Sequence, residues 1–331
     1  MRPFTYTRAR TADEAVRAVS ESGPGARFLA GGTTLFDLMK LHVETPSRLV
    51  DVTGLDDLST IDTAGESELV FGAMARMSDV AADPRLVRDY PALSESLWKA
   101  ASEQLRNVAR VGPNLVQRTR CEYFRGGEPF ACNKRNPGSG CAAQDGIHRG
   151  HALLGGSEAC IAVYPGDWAI ALVAFDALID VLGPSGQRTL PVERLHLEPG
   201  TTPHLDTVLA HDELILRIRV PVTPLGRAST YHKIRDRESY AFALTSAAVG
   251  LQMDGDTVTD ARVAIGGVAT RPWRARDAER ALVGRALTPE TAREAGDVAL
   301  RGAVARSGNR FRIELGARTV ADALMIAKQR V

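Results

Sequence analysis

The sequence predicts a mixed helix-and-sheet fold with about two domains. Three observations carry this prediction: a length of 331 residues, an ordinary globular composition with 44% hydrophobic and 24% charged residues, and short apolar runs that alternate with helical segments. A chain of this length can bury a large core, so it needs no disulfide or structural metal in order to fold.

The charge balance and the hydropathy exclude several classes of function. Forty-one basic residues against 40 acidic ones give a net charge of +1, so no nucleic-acid or membrane-surface footprint is visible. Aromatic residues make up only 5%, which argues against a stacking platform for single strands. No apolar run approaches about 18 residues, and no signal peptide is visible. We therefore expect no membrane span and a cytoplasmic location, or a periplasmic one by co-export with a partner.

Capping and turn signals define most of the elements. Thr11 and Glu14 predict a capping box at the start of a helix over residues 12–21. Asp254-Gly255-Asp256 predicts a hairpin, and Thr288-Pro289-Glu290 predicts a helix start. Further helices are expected from about residues 274 and 309. Short strands are predicted at residues 26–30, 48–52, 69–72, 177–182, 188–192, 213–220, 230–234, 243–253 and 258–268.

All four cysteines fall within 40 residues of each other: Cys121, Cys132, Cys141 and Cys160. Two disulfides are disfavoured, because the core is large and no signal peptide is visible. Structural zinc usually uses cysteine pairs at C-x₂₋₄-C spacing, which this chain lacks. An iron–sulfur cluster accepts longer spacings because it is larger than one ion. Spacing alone favours the cluster modestly and leaves the other two alternatives open.

The surroundings of the cysteines strengthen the cluster hypothesis. Residues 117–158 show little helical or strand periodicity, which is typical of a functional or disordered segment. A solvated basic loop is the alternative interpretation, but a surplus of positive charge would also offset an anionic thiolate cluster. His148 and His151 are alternative metal ligands, but four cysteines already suffice, so a hydrogen bond to the cluster region or plain exposure is favoured for them. The basic residues are Arg118, Arg120, Arg125, Lys134, Arg135 and Arg149.

Three glycine turns stand before predicted helices. Gly31-Gly32-Thr33-Thr34 separates a strand from a helix over residues 35–40, an arrangement that presents free N–H groups to a phosphate. A plain tight turn is the alternative. Val111-Gly112-Pro113-Asn114 is the second turn and Pro165-Gly166-Asp167 is the third. Asp167 either caps the following helix or accepts a hydrogen bond from a ligand hydroxyl, and the cap is favoured.

Read in chain order, several segments together resemble one known family. It is the FAD-binding (medium) subunit of the molybdenum hydroxylases, of the xanthine dehydrogenase and carbon monoxide dehydrogenase flavoprotein type. The resemblance covers nearly the whole chain. The cysteine segment is similar to the subgroup with an extra [4Fe–4S] cluster, as in bacterial aldehyde oxidoreductase and 4-hydroxybenzoyl-CoA reductase. The segments are FLAGGTTLFDLMK, FGAMARMSDV, RNVARVGPNLVQRTRC, CNKRNPGSGC, CIAVYPGD, STYHKIRDRESYAFALTSAAVGL and ARVAIGGVATRPWRA.

The resemblance implies an α+β fold in two domains. A FAD-binding domain of the PCMH type would occupy residues 1–222, with subdomains of about 1–54 and 55–222 and an iron–sulfur insert at about 117–160. A domain like the C-terminal domain of carbon monoxide dehydrogenase flavoproteins would occupy residues 223–331.

The resemblance also implies roles for individual residues. Gly112 and Asn114 would contact a phosphate and the ribityl chain, Asp167 would hydrogen-bond the flavin nucleotide, and Lys233 would lie near the flavin ring. Arg110 and Pro113 depart from the family pattern T-x-G-G-N; Arg110 would weaken the FAD contact or pair with a phosphate. The loop that would wrap the pyrophosphate is Phe28, Leu29, Ala30, Gly31, Gly32, Thr33, Thr34 and Leu35. The irons would be bound by Cys121, Cys132, Cys141 and Cys160.

These cofactors imply an electron-transfer subunit of a heterotrimeric oxidoreductase. The chain has no further cysteines and no recognisable pterin site, so the substrate would react on a partner. The resemblance implies a large molybdopterin-binding subunit, a small subunit with [2Fe–2S] clusters and an unidentified external electron acceptor. Aldehyde oxidation is the leading expectation. A flavin-deficient scaffold subunit and a hydroxybenzoyl-CoA reductase-type subunit are the alternatives.

Overall fold

The computed structural model describes residues 1–331 and contains twelve strands, twelve α-helices and three sheets. The strands are β1 (Thr5–Arg8), β2 (Ala26–Leu29), β3 (Arg48–Asp51), β4 (Ile61–Asp62), β5 (Glu68–Gly72), β6 (Leu178–Gly183), β7 (Gly186–Pro191), β8 (Leu214–Pro221), β9 (Ser229–Ile234), β10 (Thr245–Asp254), β11 (Thr257–Gly266) and β12 (Trp273–Arg274). The helices are α1 (Ala12–Ser22), α2 (Leu35–Lys40), α3 (Met77–Ala81), α4 (Pro84–Asp89), α5 (Pro91–Trp98), α6 (Glu103–Arg106), α7 (Val111–Leu115), α8 (Glu122–Arg125), α9 (Trp168–Ala174), α10 (Arg276–Leu282), α11 (Pro289–Ala299) and α12 (Phe311–Lys328).

The first sheet is parallel, in the order β1-β3-β2, and the buried side of α1 packs beside it. The Thr11 hydroxyl accepts a hydrogen bond from the Glu14 amide, as the sequence predicts. The Glu14 carboxylate accepts from the Arg10 amide instead of the Thr11 amide, so only half of the predicted capping box forms. The carboxyl end of β2 leads directly into the glycine turn before α2, and this sheet therefore positions that turn.

The second sheet is antiparallel throughout, in the order β4-β5-β8-β6-β7. A hairpin turn at residues 183–186 joins β6 to β7. Every residue of α9 is buried, because the run Trp168–Ala174 is apolar on all sides and lies inside the core. One cluster of 50 buried hydrophobic residues extends from α1 through this sheet and α9.

The cysteine segment between α7 and α9 has little regular structure. Its single helix is the four-residue α8, and a bridge between Cys132 and Cys141 supplies its central backbone pairing. Arg135 compensates for the missing ladders by donating to four carbonyl oxygens of the same segment. These belong to Tyr123, Phe124, Gly127 and Phe130.

The third sheet is antiparallel, in the order β12-β11-β10-β9, and it packs against α10, α11 and α12 around a second core of 24 buried residues. Gly255 has a φ of +56° in the turn between β10 and β11, as the hairpin signal predicts. Thr288 forms a capping box with Thr291 at the start of α11. The other two helices begin about two residues later than predicted, at Arg276 and Phe311. None of the helices combines the length and the apolar character needed to cross a membrane.

Two glycines at the α11–α12 interface make a matched pair for testing this packing. A Cβ at Gly296 would lie 2.2 Å from the Ala317 backbone oxygen, whereas a Cβ at Gly316 would meet only Leu300 side-chain carbons at 3.3 Å. We expect Gly296→Ala to destabilise the protein by about 1–3 kcal/mol through overpacking. Gly316→Ala should stay within about 1 kcal/mol of the wild type, because higher helix propensity offsets the tighter contact. Equal unfolding midpoints in urea for the two variants would contradict this packing.

Candidate functional site

The glycine turn after β2 presses against a neighbouring backbone. A Cβ at Gly31 would lie 2.2 Å from the Val108 carbonyl oxygen, so no larger residue fits. Gly32 has a φ of +69°, a left-handed conformation that favours glycine. None of the five backbone N–H groups from Gly31 to Leu35 donates to a protein acceptor. The turn is therefore shaped as a cradle of free donors, which is the arrangement that phosphate groups bind.

A cavity of about 260 Å³ adjoins this cradle and carries an excess of positive charge. Three guanidinium groups and one carboxylate line it, those of Arg27, Arg110, Arg118 and Glu44. Two buried polar atoms, Arg110 Nε and Asn114 Oδ1, have no hydrogen-bond partner in the protein. Buried polar atoms normally have partners, so these two are suited to a polar ligand. Free amides, guanidinium groups and orphaned atoms together fit an anionic nucleotide such as FAD.

Among the nucleotide contacts predicted from the first two glycine turns, Leu29 and Gly112 do not line this cavity. The sequence segment Phe28–Leu35 contributes every residue except Leu29. Gly112 packs instead: its N–H donates to the Ala73 carbonyl oxygen at 2.9 Å, and a Cβ at that position would lie 2.5 Å from the Ala73 Cβ. The glycine at 112 therefore permits close packing of α7, while Arg110, Pro113 and Asn114 face the cavity from the same turn.

A second and larger cavity has a volume of about 420 Å³. It is lined by residues from 119–122, 147–151, 163–166 and 236–244, and by Gly267. Arg120 of this lining reaches the first region, because its guanidinium contacts the Thr34 hydroxyl at 3.4 Å and the Asp37 carboxylate at 3.2 Å. The guanidinium also lies over the Phe242 ring, 5.0 Å from the ring centroid. Sequence reasoning missed this cavity, since its walls come from five separate parts of the chain.

Asp167 and Lys233 form a buried ion pair behind the cavities and line neither of them. Asp167 Oδ2 accepts from Lys233 Nζ at 2.9 Å, and Oδ1 accepts from the Tyr231 hydroxyl at 2.7 Å. The lysine also donates to the Lys99 carbonyl oxygen. Burial and the Asp167 charge hold the pKa of Tyr231 well above its ordinary value, so the phenol keeps its proton and donates. The Asp167 carboxylate does not cap α9, contrary to the favoured expectation. The flavin contacts expected of Asp167 and Lys233 stay predictions.

The four cysteines come together although the sequence separates them. All four line one small, mostly apolar cavity, and none is in a disulfide. One backbone amide donates to a cysteine sulfur: Ala162 to Cys160 at 3.4 Å. No three His, Cys, Asp or Glu side chains of the chain converge on a single-ion site. Burial raises the pKa of Cys121 to about 12, and a coordinating metal reverses such protonation outright.

The basic residues around the cysteines are mostly neutralised by carboxylates, so the expected surplus of positive charge is largely absent. Asp206 binds both Arg118 and Lys134, and Asp37 binds both Arg120 and Arg125. Arg149 pairs with Asp236, and Arg135 is the one without a carboxylate. The sequence count missed these pairs because the acidic partners lie about 70 to 90 positions away along the chain.

The two histidines of the cysteine segment have different surroundings. His151 Nε2 lies 3.2 Å from Cys121 Sγ, so the hydrogen bond expected near the cysteines is present. His148 Nε2 accepts from the Gly308 amide at 3.2 Å and contacts no cysteine. Both rings are buried, which excludes the alternative of plain exposure. Cys121 lines both the larger cavity and the cysteine cavity, whereas His151 lines only the larger one.

Comparison with known proteins decides the family. Residues 2–223 match the FAD binding domain in molybdopterin dehydrogenase, and residues 229–325 match the CO dehydrogenase flavoprotein C-terminal domain. The chain belongs to the FAD-binding medium subunits of the molybdenum hydroxylases. This confirms the fold class, and this medium subunit is an oxidoreductase subunit that binds FAD.

Relatives of this medium subunit match along its full length. The aldehyde oxidoreductase FAD-binding subunit PaoB of Escherichia coli (strain K12) is 44% identical over 99% of this chain and 99% of its own. The carbon monoxide dehydrogenase medium chain of Hydrogenophaga pseudoflava is 28% identical over 90% of this chain and 86% of its own. A solved structure of carbon monoxide dehydrogenase from the same organism superposes with a TM-score of 0.77 at 26% identity, covering 99% and 98% of the two chains.

The cradle predicts opposite results for two neighbouring substitutions. Gly31→Ala should abolish FAD retention, because the added Cβ would collide with the Val108 carbonyl oxygen and displace the turn. Thr33→Ala leaves the backbone donors of the turn unchanged and removes at most one hydroxyl contact to the ligand, so most of the FAD should be retained. The measurement is flavin released on denaturation per mole of purified protein. Full flavin content in Gly31→Ala would contradict the cradle.

The buried ion pair predicts strong coupling between its members. Lys233→Met should destabilise the protein by about 3–5 kcal/mol, because it leaves Asp167 charged and unpaired in the interior. Adding Asp167→Asn removes that charge and should recover a large part of the loss. Unfolding of the single and double variants in urea measures the coupling. Strict additivity of the two substitutions would show that the contact carries no interaction energy.

Proposed function

We propose that this medium subunit carries both FAD and a [4Fe–4S] cluster and transfers electrons within an aldehyde-oxidising molybdenum hydroxylase. Electrons would arrive from a small [2Fe–2S] subunit and leave to an external acceptor, while the substrate reacts on a large molybdopterin-binding subunit. The observation that carries the proposal is the meeting of all four cysteines at one cavity beside the flavin-sized cavity.

The cysteine geometry supports a cluster over zinc. Four thiolates on one zinc ion would hold their sulfurs about 3.8 Å apart, as a tetrahedral site with Zn–S bonds of about 2.3 Å requires. These side chains surround a shared space without converging on one ion. In a [4Fe–4S] cluster each cysteine binds a different iron, so the four cysteine sulfurs surround the cluster and do not converge on a single metal ion. The Ala162 amide that donates to Cys160 fits a bound thiolate.

The residues around the two larger cavities support FAD as the second carrier. The Gly31–Leu35 amides and Arg110 would hold the pyrophosphate, and the cavity that Arg120 joins to this cradle would take the ring system. FAD supplies exchange between one-electron and two-electron partners. Pro113 removes no donor that the cradle uses, since the free amides come from the other turn. The motivation for a flavin-deficient scaffold is therefore weak.

The aldehyde substrate rests on the similarity to PaoB, which extends over 99% of both chains at 44% identity. A subunit of the hydroxybenzoyl-CoA reductase type is the second candidate, and no observation favours it specifically. The purified heterotrimer decides between them. We expect oxidation of aldehydes with an artificial electron acceptor, and no reduction of an aromatic acyl-CoA by a low-potential donor. The reverse pattern would overturn the aldehyde assignment.

Loss of one cysteine tests the cluster in the same complex. Cys132→Ser should lower the iron and acid-labile sulfide of the heterotrimer by about four each per complex, because the cubane needs four ligands. FAD content should stay near the wild-type value, since Cys132 lines neither of the larger cavities. Ala159→Ser, which adds a hydroxyl at the same cavity and keeps every thiol, is the matched control. Unchanged iron in Cys132→Ser would refute the ligand assignment.

A further inference from the structure

His151 lines the larger cavity and contacts Cys121, the cysteine that lines both cavities, and its role is not explained by the fold alone. Its side chain is buried, with 6% of the residue exposed. Its Nε2 atom lies 3.2 Å from Cys121 Sγ, and its Nδ1 atom has no hydrogen-bond partner. The Tyr123 ring packs beside it at 6.0 Å between centroids. The imidazole therefore has one polar contact, and that contact is a cysteine sulfur.

The direction of this hydrogen bond follows from the chemistry of a ligating cysteine. A metal-bound thiolate carries no proton and can only accept. His151 must then carry its proton on Nε2, from which it donates a hydrogen bond to Cys121 Sγ, while Nδ1 stays unprotonated. A donor that points at a cluster sulfur stabilises the extra negative charge of the reduced cluster and so raises its reduction potential.

The C-terminal domain holds His151 in this position. The Arg312 guanidinium donates to the His151 carbonyl oxygen at 2.7 Å, and the Asn309 amide donates to the same oxygen at 3.3 Å. Arg312 and Asn309 are both 0% exposed. Arg312 pairs with no carboxylate and instead donates to further carbonyl oxygens, those of Leu244, Arg149 and Gly267.

The buried guanidinium of Arg312 holds several backbone segments together. Burial lowers the pKa of Arg312 to about 10, because removing the guanidinium from water disfavours its charged form. All the carbonyl groups that it binds belong to residues lining the larger cavity. The Gly308 amide adds a further tie by donating to His148. The start of α12 thus fixes residues 148–151 from outside the cysteine segment.

We propose that His151 is a positioning residue that donates a hydrogen bond to Cys121 and sets the reduction potential of the four-cysteine cluster, with Arg312 and Asn309 of the C-terminal domain holding it in place. The inference rests on the proposed function, because it requires a cluster at the cysteines. It assigns a role in electron transfer to a residue that is not itself a ligand.

The test is a redox titration of the whole heterotrimer followed by electron paramagnetic resonance. His151→Phe keeps the ring volume and removes the donor, His151→Gln keeps an N–H donor, and His148→Gln is the control in the same segment. We expect His151→Phe to keep its iron and to show an about tenfold lower ratio of reduced to oxidised cluster at a fixed potential, a shift of about 59 mV. His151→Gln and His148→Gln should stay near the wild type. The FAD and [2Fe–2S] signals serve as internal references.

Each outcome decides the inference. A His151→Phe complex with full iron and the wild-type potential overturns it, as does a His151→Gln complex that shifts as far as His151→Phe. If His151→Phe loses the cluster, retention of iron and potential by His151→Gln supports the donor, and loss of both by His151→Gln overturns it. A wild-type complex without iron at these cysteines refutes the proposed function itself, so the two failures can be told apart.

Discussion

The cysteine segment between α7 and α9 has almost no backbone ladder of its own, and its position depends on charged side chains that tie it to both flanking domains. Asp37 of α2 holds Arg120 and Arg125, while Asp206 holds Lys134. From the C-terminal domain, Arg312 of α12 donates hydrogen bonds to two carbonyl oxygens of the cysteine segment, those of Arg149 and His151. An irregular segment of this length stays ordered in a compact fold only when such contacts replace the missing secondary structure.

These ties also bring the two candidate cofactor regions together. Asp37 belongs to the helix that follows the phosphate cradle, so the contacts with Arg120 and Arg125 link the nucleotide turn to the cysteines. Cys121 then lies in both the cysteine cavity and the larger cavity. A few side chains therefore connect the two regions, which supports the proposal that each region holds one carrier.

Much of the framework was predictable from local signals. The strand, glycine turn and helix at residues 26–40 follow from alternation and turn chemistry, and Thr288 identifies the start of α11. Gly31 and Gly112 look equivalent in the sequence, yet one opens a cradle and the other packs against Ala73. The difference lies in distant neighbours, which no local pattern contains.

Arg312 shows a different limit of sequence reasoning. It occupies the buried stripe of α12 together with Gly316, Thr319 and Val320, so helical periodicity places a cation on an apolar face. A cation on the apolar face of a helix indicates a buried group with specific partners, and the sequence contains that signal. The partners themselves are carbonyl groups of residues 149, 151, 244 and 267, which no local pattern identifies. The buried pair of Asp167 and Lys233 is similar, because 66 residues separate its members in the chain.

Anomalous diffraction from anaerobically grown crystals of the proposed heterotrimer, recorded on both sides of the iron absorption edge, tests the central claim most directly. The account predicts an iron signal in the space bounded by Cys121, Cys132, Cys141 and Cys160, within bonding distance of all four sulfurs. A signal at the zinc edge in that space, or no metal signal there while irons elsewhere in the crystal are visible, would contradict it.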